Sequence, residues 1–140
     1  MKVLLDTTFM LPIVGVSVKG IASEVLNKLW QLRRSGEVEL FYTEFNLLEI
    51  LWVLSKLNYE LPIVERGLKS IEKNMVKTQP KYSSLLKALE LRKKGFHDVI
   101  DLLLYLTAKD NELLFLTYDA ELKRFLEGVG EDVSIIIESV

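Results

Sequence analysis

Four acidic residues lie where local folding signals predict that their side chains converge. Asp6 closes an apolar run of strand length, and Asp119 follows a second such run by three residues. Both carboxylates would then project from the carboxyl ends of strands, the edge at which open α/β sheets bind ligands. Glu49 and Asp101 lie within segments of helical periodicity instead. The set predicts a pocket of carboxylates at one edge of a sheet.

Such a pocket needs a positive charge, because two carboxylates about 5 Å apart repel by roughly 3 kcal/mol at an effective dielectric near 20. The chain has no cysteine and a single histidine, which excludes a cysteine-ligated or histidine-rich metal site. Oxygen ligands suit Mg²⁺ or Mn²⁺. These ions lower the pKa of a bound water and neutralise charge on a phosphoryl group. The predicted chemistry is hydrolysis of a phosphodiester.

Each acid also has a purely structural interpretation, which for Asp6 is an ordinary strand-to-helix turn. Glu49 lies in an apolar segment, residues 45–54, that predicts a helix buried on all sides, and no cation stands three or four positions away. A cation from elsewhere, or solvent, would satisfy it equally well. Asp98 is a natural N-cap, Asp101 then gains from the helix dipole, and Asp119 has the position of a second N-cap. The prediction therefore rests on the set and not on any single member.

Apolar runs of strand length alternate with helical periodicity, which is typical of a parallel sheet covered by helices on both faces. The predicted strands are residues 3–5, 38–42, 113–116 and 133–137. The predicted helices are residues 21–34, 45–57, 62–76, 83–94, 98–109 and 120–126. Because no strand is predicted between residues 57 and 98, we expect a helical hairpin around residues 62–94 beside the sheet. No linker divides the chain, so we expect a single domain over residues 1–140.

The formal charge of −2 conceals an uneven distribution of charge. Residues 77–94 contain six basic residues against one acid. One interpretation is an ordinary solvated face. The other is a phosphate-binding rim, for which the candidates are Lys87, Arg92, Lys93 and Lys94.

The mean hydropathy of +0.21 is high for a soluble monomer, so we expect another chain to cover part of the apolar surface. A homodimer or a bound partner would do so. No apolar run reaches the roughly 18 residues of a membrane span, and the first residues lack a signal-peptide pattern. The expected location is therefore the cytoplasm, without membrane association.

Residues 4–8, 43–49, 101–108 and 116–119 form four short motifs, each with one of the four acids, in that order along the chain. These motifs resemble those of the PIN-domain nucleases, and in particular the VapC-type toxins of prokaryotic toxin–antitoxin pairs. Residues 4–8 are similar to the family's first motif, with Thr8 at its usual Ser, Thr or Asn position. The segment from Thr43 through Glu49 resembles the one that carries the second acid on a helix.

The third and fourth motifs cover the later part of the chain. Asp101 is followed seven residues later by Ala108, a spacing that fits the family's third motif and gives the metal-binding place to Asp101 instead of Asp98. The strand end at residues 116–119 resembles the last motif, Thr-x-Asp, although Tyr118 stands where a small or charged residue is expected.

The resemblance implies a three-layer α/β/α sandwich with a central parallel sheet, one or two bound Mg²⁺ or Mn²⁺ ions and endoribonuclease activity on RNA. It also implies a homodimer and, for a VapC-type member, inhibition by a small antitoxin protein. The expected metal-binding and catalytic residues are Asp6, Glu49, Asp101 and Asp119. The residues expected to support them are Thr8, Asp98 and Thr117.

Three other functions remain open at the level of sequence. One is a catalytically idle PIN-like module that binds RNA or protein, and another is a nuclease that processes ribosomal RNA. The third is a phosphotransfer protein, which fits less well. A receiver domain would show an acidic pair near its first strand, whereas Asp6 has no acidic neighbour, and a haloacid-dehalogenase-like phosphatase would have an aspartate where Thr8 stands.

Overall fold

The first strand, β1 (Lys2–Leu5), lies at the centre of a parallel sheet in the computed structural model, which describes all residues 1–140. Five strands are arranged in the order β3-β2-β1-β4-β5. The others are β2 (Glu39–Tyr42), β3 (Val76–Lys77), β4 (Leu114–Leu116) and β5 (Ile136–Ile137). β1 pairs with β2 on one side and with β4 on the other. The residues that follow β1 and β4 therefore leave the sheet side by side.

Helices cover both faces of this sheet. They are α1 (Ser23–Arg34), α2 (Glu44–Leu54), α3 (Leu61–Asn74), α4 (Tyr82–Lys93), α5 (Val99–Asp110) and α6 (Ala120–Gly128), and two short 3₁₀ turns, Thr7–Phe9 and Leu11–Val14, follow β1. Val3 and Leu5 pack with α1, α2 and α3 on one face, and Leu4 packs with α4, α5 and α6 on the other. The predicted three-layer α/β/α fold is confirmed. No helix combines the length and apolar content that crossing a bilayer requires.

The predicted helical hairpin around residues 62–94 is wrong. The short strand β3 lies between α3 and α4, and pairs with β2 through Val76 opposite Phe41. Ile71 of α3 packs into the core on one face of the sheet, whereas Leu91 of α4 packs into the core on the other. A strand of two residues is too short to produce a periodic pattern, so the sequence showed only the helices on either side of it.

The prediction that α2 is buried on all sides is also wrong. Ile50 and Leu54 enter the core, but Leu48, Leu51 and Trp52 are 59%, 53% and 65% exposed. α2 thus presents an apolar surface to solvent. The three exposed side chains form the α2 face; Leu48 directly precedes Glu49 in the sequence, and Leu51 and Trp52 follow it by two and three positions.

Candidate metal centre

The four predicted acids line one pocket at the carboxyl edge of the sheet, and Asp98 joins them as a fifth. This acid pocket has a volume of about 400 Å³ and is lined by Asp6, Thr7, Thr8, Leu11, Glu49, Val53, Asp98, Asp101, Tyr118 and Asp119. No lysine, arginine or histidine lines it. The tertiary structure therefore brings the acids together without supplying a positive charge.

The centre of the sheet positions Asp6 and Asp119. The backbone amide of Asp6 donates to the carbonyl of Leu116 at 3.0 Å, which ties the end of β1 to the end of β4. The buried hydroxyl of Thr117 donates to the Asp6 carboxylate at 2.7 Å and accepts from the backbone amide of Asp119 at 3.1 Å. The carboxylate of Asp119 in turn caps α6 by accepting from the amide of Leu122. The Thr117 hydroxyl thus links the carboxylate of Asp6 to the backbone of Asp119.

A chain of hydrogen bonds from the start of α2 positions Glu49. Thr43 and Asn46 form a capping box, in which each side chain accepts from the backbone amide of the other residue. The Asn46 amide group donates to the carbonyl of Leu5 at 3.1 Å and to the hydroxyl of Thr7 at 2.9 Å. Thr7 then donates to the Glu49 carboxylate at 2.5 Å. Glu49 is therefore held by a neutral donor and not by a cation.

Thr7 and Asn46 position Glu49, and neither is among the residues predicted from the sequence. The sequence places Thr8 among the supporting residues, but the Thr8 hydroxyl lines the acid pocket without a hydrogen bond to any carboxylate, and Thr7 makes that contact instead. The spacing of Thr43 and Asn46 is a helix-start signal that could have identified the capping box. No local pattern could have linked Thr7 to a residue 42 positions away.

Asp98 and Asp101 are positioned by the start of α5. Asp98 is the N-cap, since its carboxylate accepts from the amides of Ile100 at 2.9 Å and Asp101 at 3.3 Å. One carboxylate oxygen from each of Glu49, Asp98 and Asp101 lies within 4.8 Å of the others. Asp98 therefore caps the helix and also belongs to the tightest group of acids in the acid pocket.

Burial and mutual repulsion raise the pKa of three of these carboxyls. Burial raises the pKa of Asp101 to about 8, and the charges of Asp6, Asp98, Glu49 and Asp119 add to the effect. Burial, with repulsion from Asp98 and Asp6, raises the pKa of Glu49 to about 7 against the hydrogen bond from Thr7. The pKa of Asp6 is also raised, mainly by burial, although the hydrogen bond from Thr117 opposes the shift. The uncompensated negative charge of the pocket fits a divalent cation with oxygen ligands.

The predicted basic rim lies outside the acid pocket. Lys87, in the middle of α4, pairs with Glu90 at 3.8 Å and with Glu131 at 4.0 Å. Arg92, Lys93 and Lys94 are exposed at the end of α4. Because Ser84 near the start of α4 bonds to Asp110 at the end of α5, the two helices are antiparallel. The end of α4 therefore lies at the same end of the molecule as the start of α5, where Asp98 and Asp101 stand.

Comparisons with known proteins agree with this architecture. A family model described as PIN domain matches residues 3–127. No curated protein matches the chain. Among solved structures, a similar one is the crystal structure of VapBC2 from Rickettsia felis bound to a DNA fragment from their promoter, with 18% sequence identity and a TM-score of 0.66. The match covers 89% of this chain and 93% of that chain, and at this identity it shows a shared fold.

The raised pKa values predict how the metal-free protein responds to pH. When the pKa of a carboxyl is higher in the folded state than in the unfolded state, the carboxyl stabilises the fold at pH values below its pKa in the unfolded state. This contribution is lost as the pH rises through its pKa in the folded state. For Asp101 the loss should extend from about pH 4 to about pH 8. In EDTA, Asp101→Asn should therefore gain in melting temperature relative to wild type as pH rises from about 5 to about 9.

The matched control is Glu72→Gln, which removes an exposed carboxylate on α3 outside the acid pocket. Its difference from wild type should stay constant over the same pH range. A constant difference for Asp101→Asn as well would show that burial does not raise the pKa of Asp101.

Proposed function

The chain belongs to the PIN-domain family, and from that premise we propose that it is a metal-dependent endoribonuclease. PIN domains are generally nucleases that typically use a divalent metal ion. The observation that carries the proposal is the acid pocket, where five carboxylates share one site and three of them have oxygens within 4.8 Å of one another. RNA as the substrate and Mg²⁺ or Mn²⁺ as the ion are parts of the proposal.

The donor set fits such an ion. Asp6, Glu49, Asp101 and Asp119 are the proposed ligands, directly or through water, and the carboxylate of Asp98 lies close enough to Glu49 and Asp101 to take part. All five supply oxygen, which hard cations prefer. When bound, the ion would lower the pKa of a water molecule and neutralise charge on the phosphoryl group.

The residues of the chain have two further tasks in this mechanism. Thr7 and Thr117 hold Glu49 and Asp6 in place through short hydrogen bonds. Because burial raises the pKa of Glu49 to about 7 and that of Asp101 to about 8, we expect cation binding at neutral pH to release protons from the acid pocket. A carboxylate of the pocket would also accept the proton of the attacking water, which general-base catalysis requires.

The exposed end of α4 is the proposed contact for the RNA backbone. Arg92, Lys93 and Lys94 would bind phosphates next to the acid pocket and add affinity without sequence choice. Lys87 belonged to the same predicted group, but its proximity to Glu90 and Glu131 offsets its charge. We therefore expect Lys87 to contribute less than the three residues at the end of the helix.

We further propose that a small antitoxin protein covers the α2 face. The similar structure from Rickettsia felis is named as VapBC2, bound to DNA from its promoter, which motivates the search for such a partner. Leu48, Leu51 and Trp52 are exposed on the same helix that carries Glu49, and this partner would cover them. A toxin of this kind would act on RNA in the cytoplasm, which is its proposed location.

A second copy of the chain is the proposed partner of the α4 face, formed by Tyr82, Leu85, Leu86 and Leu89. These apolar side chains are exposed along one stripe of α4. α4 packs on one face of the sheet, whereas Ile50 and Leu54 of α2 pack on the other. One partner on one surface therefore does not account for both the α4 face and the α2 face. Self-association through the α4 face leaves the α2 face free for the antitoxin.

The nuclease proposal predicts cleavage of a mixed RNA pool that requires Mg²⁺ or Mn²⁺ and stops in EDTA. Asp101→Asn should lower the rate by roughly 10²–10⁴-fold, because it removes a ligand and a proton acceptor. Glu72→Gln, purified in the same way, should keep the wild-type rate. Equal cleavage by wild type and Asp101→Asn would reveal a contaminant or a misplaced site, and metal binding without cleavage would indicate an idle RNA- or protein-binding module.

The basic-rim proposal predicts weaker RNA binding by the double variant Lys93→Glu and Lys94→Glu. Its affinity should fall for all sequences, and the slope of log affinity against log salt should decrease by about 0.7 for each phosphate that the variant no longer binds. The control is Lys19→Glu with Lys28→Glu, the same change in charge at two exposed residues elsewhere. An affinity that is unchanged and insensitive to salt would eliminate the end of α4 as the binding surface.

The dimer proposal predicts that wild type has twice the mass of one chain in light scattering and that Leu86→Glu is monomeric. A charge at the centre of the α4 face would have to be buried in the dimer without a partner. Leu48→Glu, the same change on the α2 face, should leave the mass unchanged. A dimeric Leu86→Glu variant would show that the two copies contact each other elsewhere. A monomeric wild type would rule out the dimer proposal.

A further inference from the structure

Tyr118 is an exposed aromatic side chain held at the mouth of the acid pocket. It stands between Thr117 and Asp119 in the sequence and lines the same pocket as the five carboxylates. Its ring lies 4.9 Å from that of Phe9, centroid to centroid, at an angle of 70°. Phe9 is fully buried, whereas Tyr118 is 41% exposed. One side of the tyrosine is therefore supported by the core while the remainder is open to a ligand.

The other residues of the acid pocket offer little for binding a nucleotide, which makes the position of Tyr118 important. Besides the carboxylates and Tyr118, the lining consists of Thr7, Thr8, Leu11 and Val53. A phosphate that enters meets no basic side chain of the lining, so its charge must be balanced by a bound cation and by residues outside the pocket. Tyr118 is the only aromatic residue among the lining residues. It is the group best suited to bind the uncharged part of a nucleotide.

We propose that Tyr118 is a stacking platform for one nucleobase beside the scissile phosphodiester. This inference rests on the proposed function and adds to it a residue that binds one base, which must be unpaired and free to leave its stack. Every base has a π-face, so the platform selects for an accessible base and not for a particular sequence. The edge contact with Phe9 fixes the ring, and a fixed ring positions the neighbouring phosphate with less loss of entropy on binding.

A packing role is the alternative, in which Tyr118 merely covers Phe9. The packing role and the stacking role differ in how the affinity for RNA depends on a single base. A packing defect would weaken binding of every RNA by a similar factor, whereas loss of a platform removes only the contribution of one base. The test therefore couples variants of Tyr118 to removal of single bases from the RNA.

The experiment measures the affinity of single-stranded RNA decamers that carry one abasic nucleotide at each position in turn. Binding is followed by fluorescence anisotropy with Mn²⁺ in the Asp101→Asn background, which keeps the RNA intact. One abasic position should weaken binding by about 5- to 100-fold. The same position should have no effect when Tyr118→Leu is added, and should keep its effect with Tyr118→Phe, which retains the ring.

The matched control is Tyr59→Leu, another exposed tyrosine that lies outside the acid pocket, and it should preserve the effect of the abasic nucleotide. If the abasic nucleotide weakens binding equally with and without Tyr118→Leu, the platform is overturned. Cleavage of the RNA pool by the wild-type protein tests the proposed function separately. If the RNA pool is cleaved but the effect of the abasic nucleotide does not depend on Tyr118, only the platform is ruled out. If that effect depends on Tyr118 but no RNA is cleaved, only the hydrolytic activity is ruled out. In an active enzyme, Tyr118→Leu should raise KM by more than it lowers kcat.

Discussion

The repulsion among five carboxylates at one edge of the sheet is the constraint on which the rest of this structure depends. β1, β4, α2 and α5 each carry at least one of these acids to the same place, and no basic side chain lines the acid pocket. Folding must therefore overcome both burial and repulsion, which appear as the raised pKa values of Asp101 and Glu49. This cost of gathering the acids without a cation supports the proposed metal site.

Neutral hydrogen-bond donors make this arrangement possible. Thr7 and Thr117 hold two of the acids, and Asn46 connects Thr7 to the end of β1. An arginine or lysine in those positions would have neutralised part of the negative charge of the acid pocket. The positive charge stands instead at the exposed end of α4, outside the acid pocket.

Much of this architecture could be predicted from local sequence. The apolar runs ending at Leu5 and Leu116 identified two neighbouring strands, and helical periodicity identified the helices that carry Glu49 and Asp101. The N-cap role of Asp98 followed from the helix that begins after it. These predictions succeeded because strand length, helical period and capping are properties of short segments, which the sequence reports directly.

The sequence by itself determined the parallel α/β class, the oxygen-only character of the acids and the position of Asp6 and Asp119 beyond two strand ends. Only the tertiary structure decided that β3 separates α3 from α4, that Thr7 and not Thr8 contacts Glu49, and that α2 exposes Trp52. Each of these depends on which distant segments pack together. Packing between segments far apart in the chain leaves no periodic signal in either segment, and so it can be read only from the folded molecule.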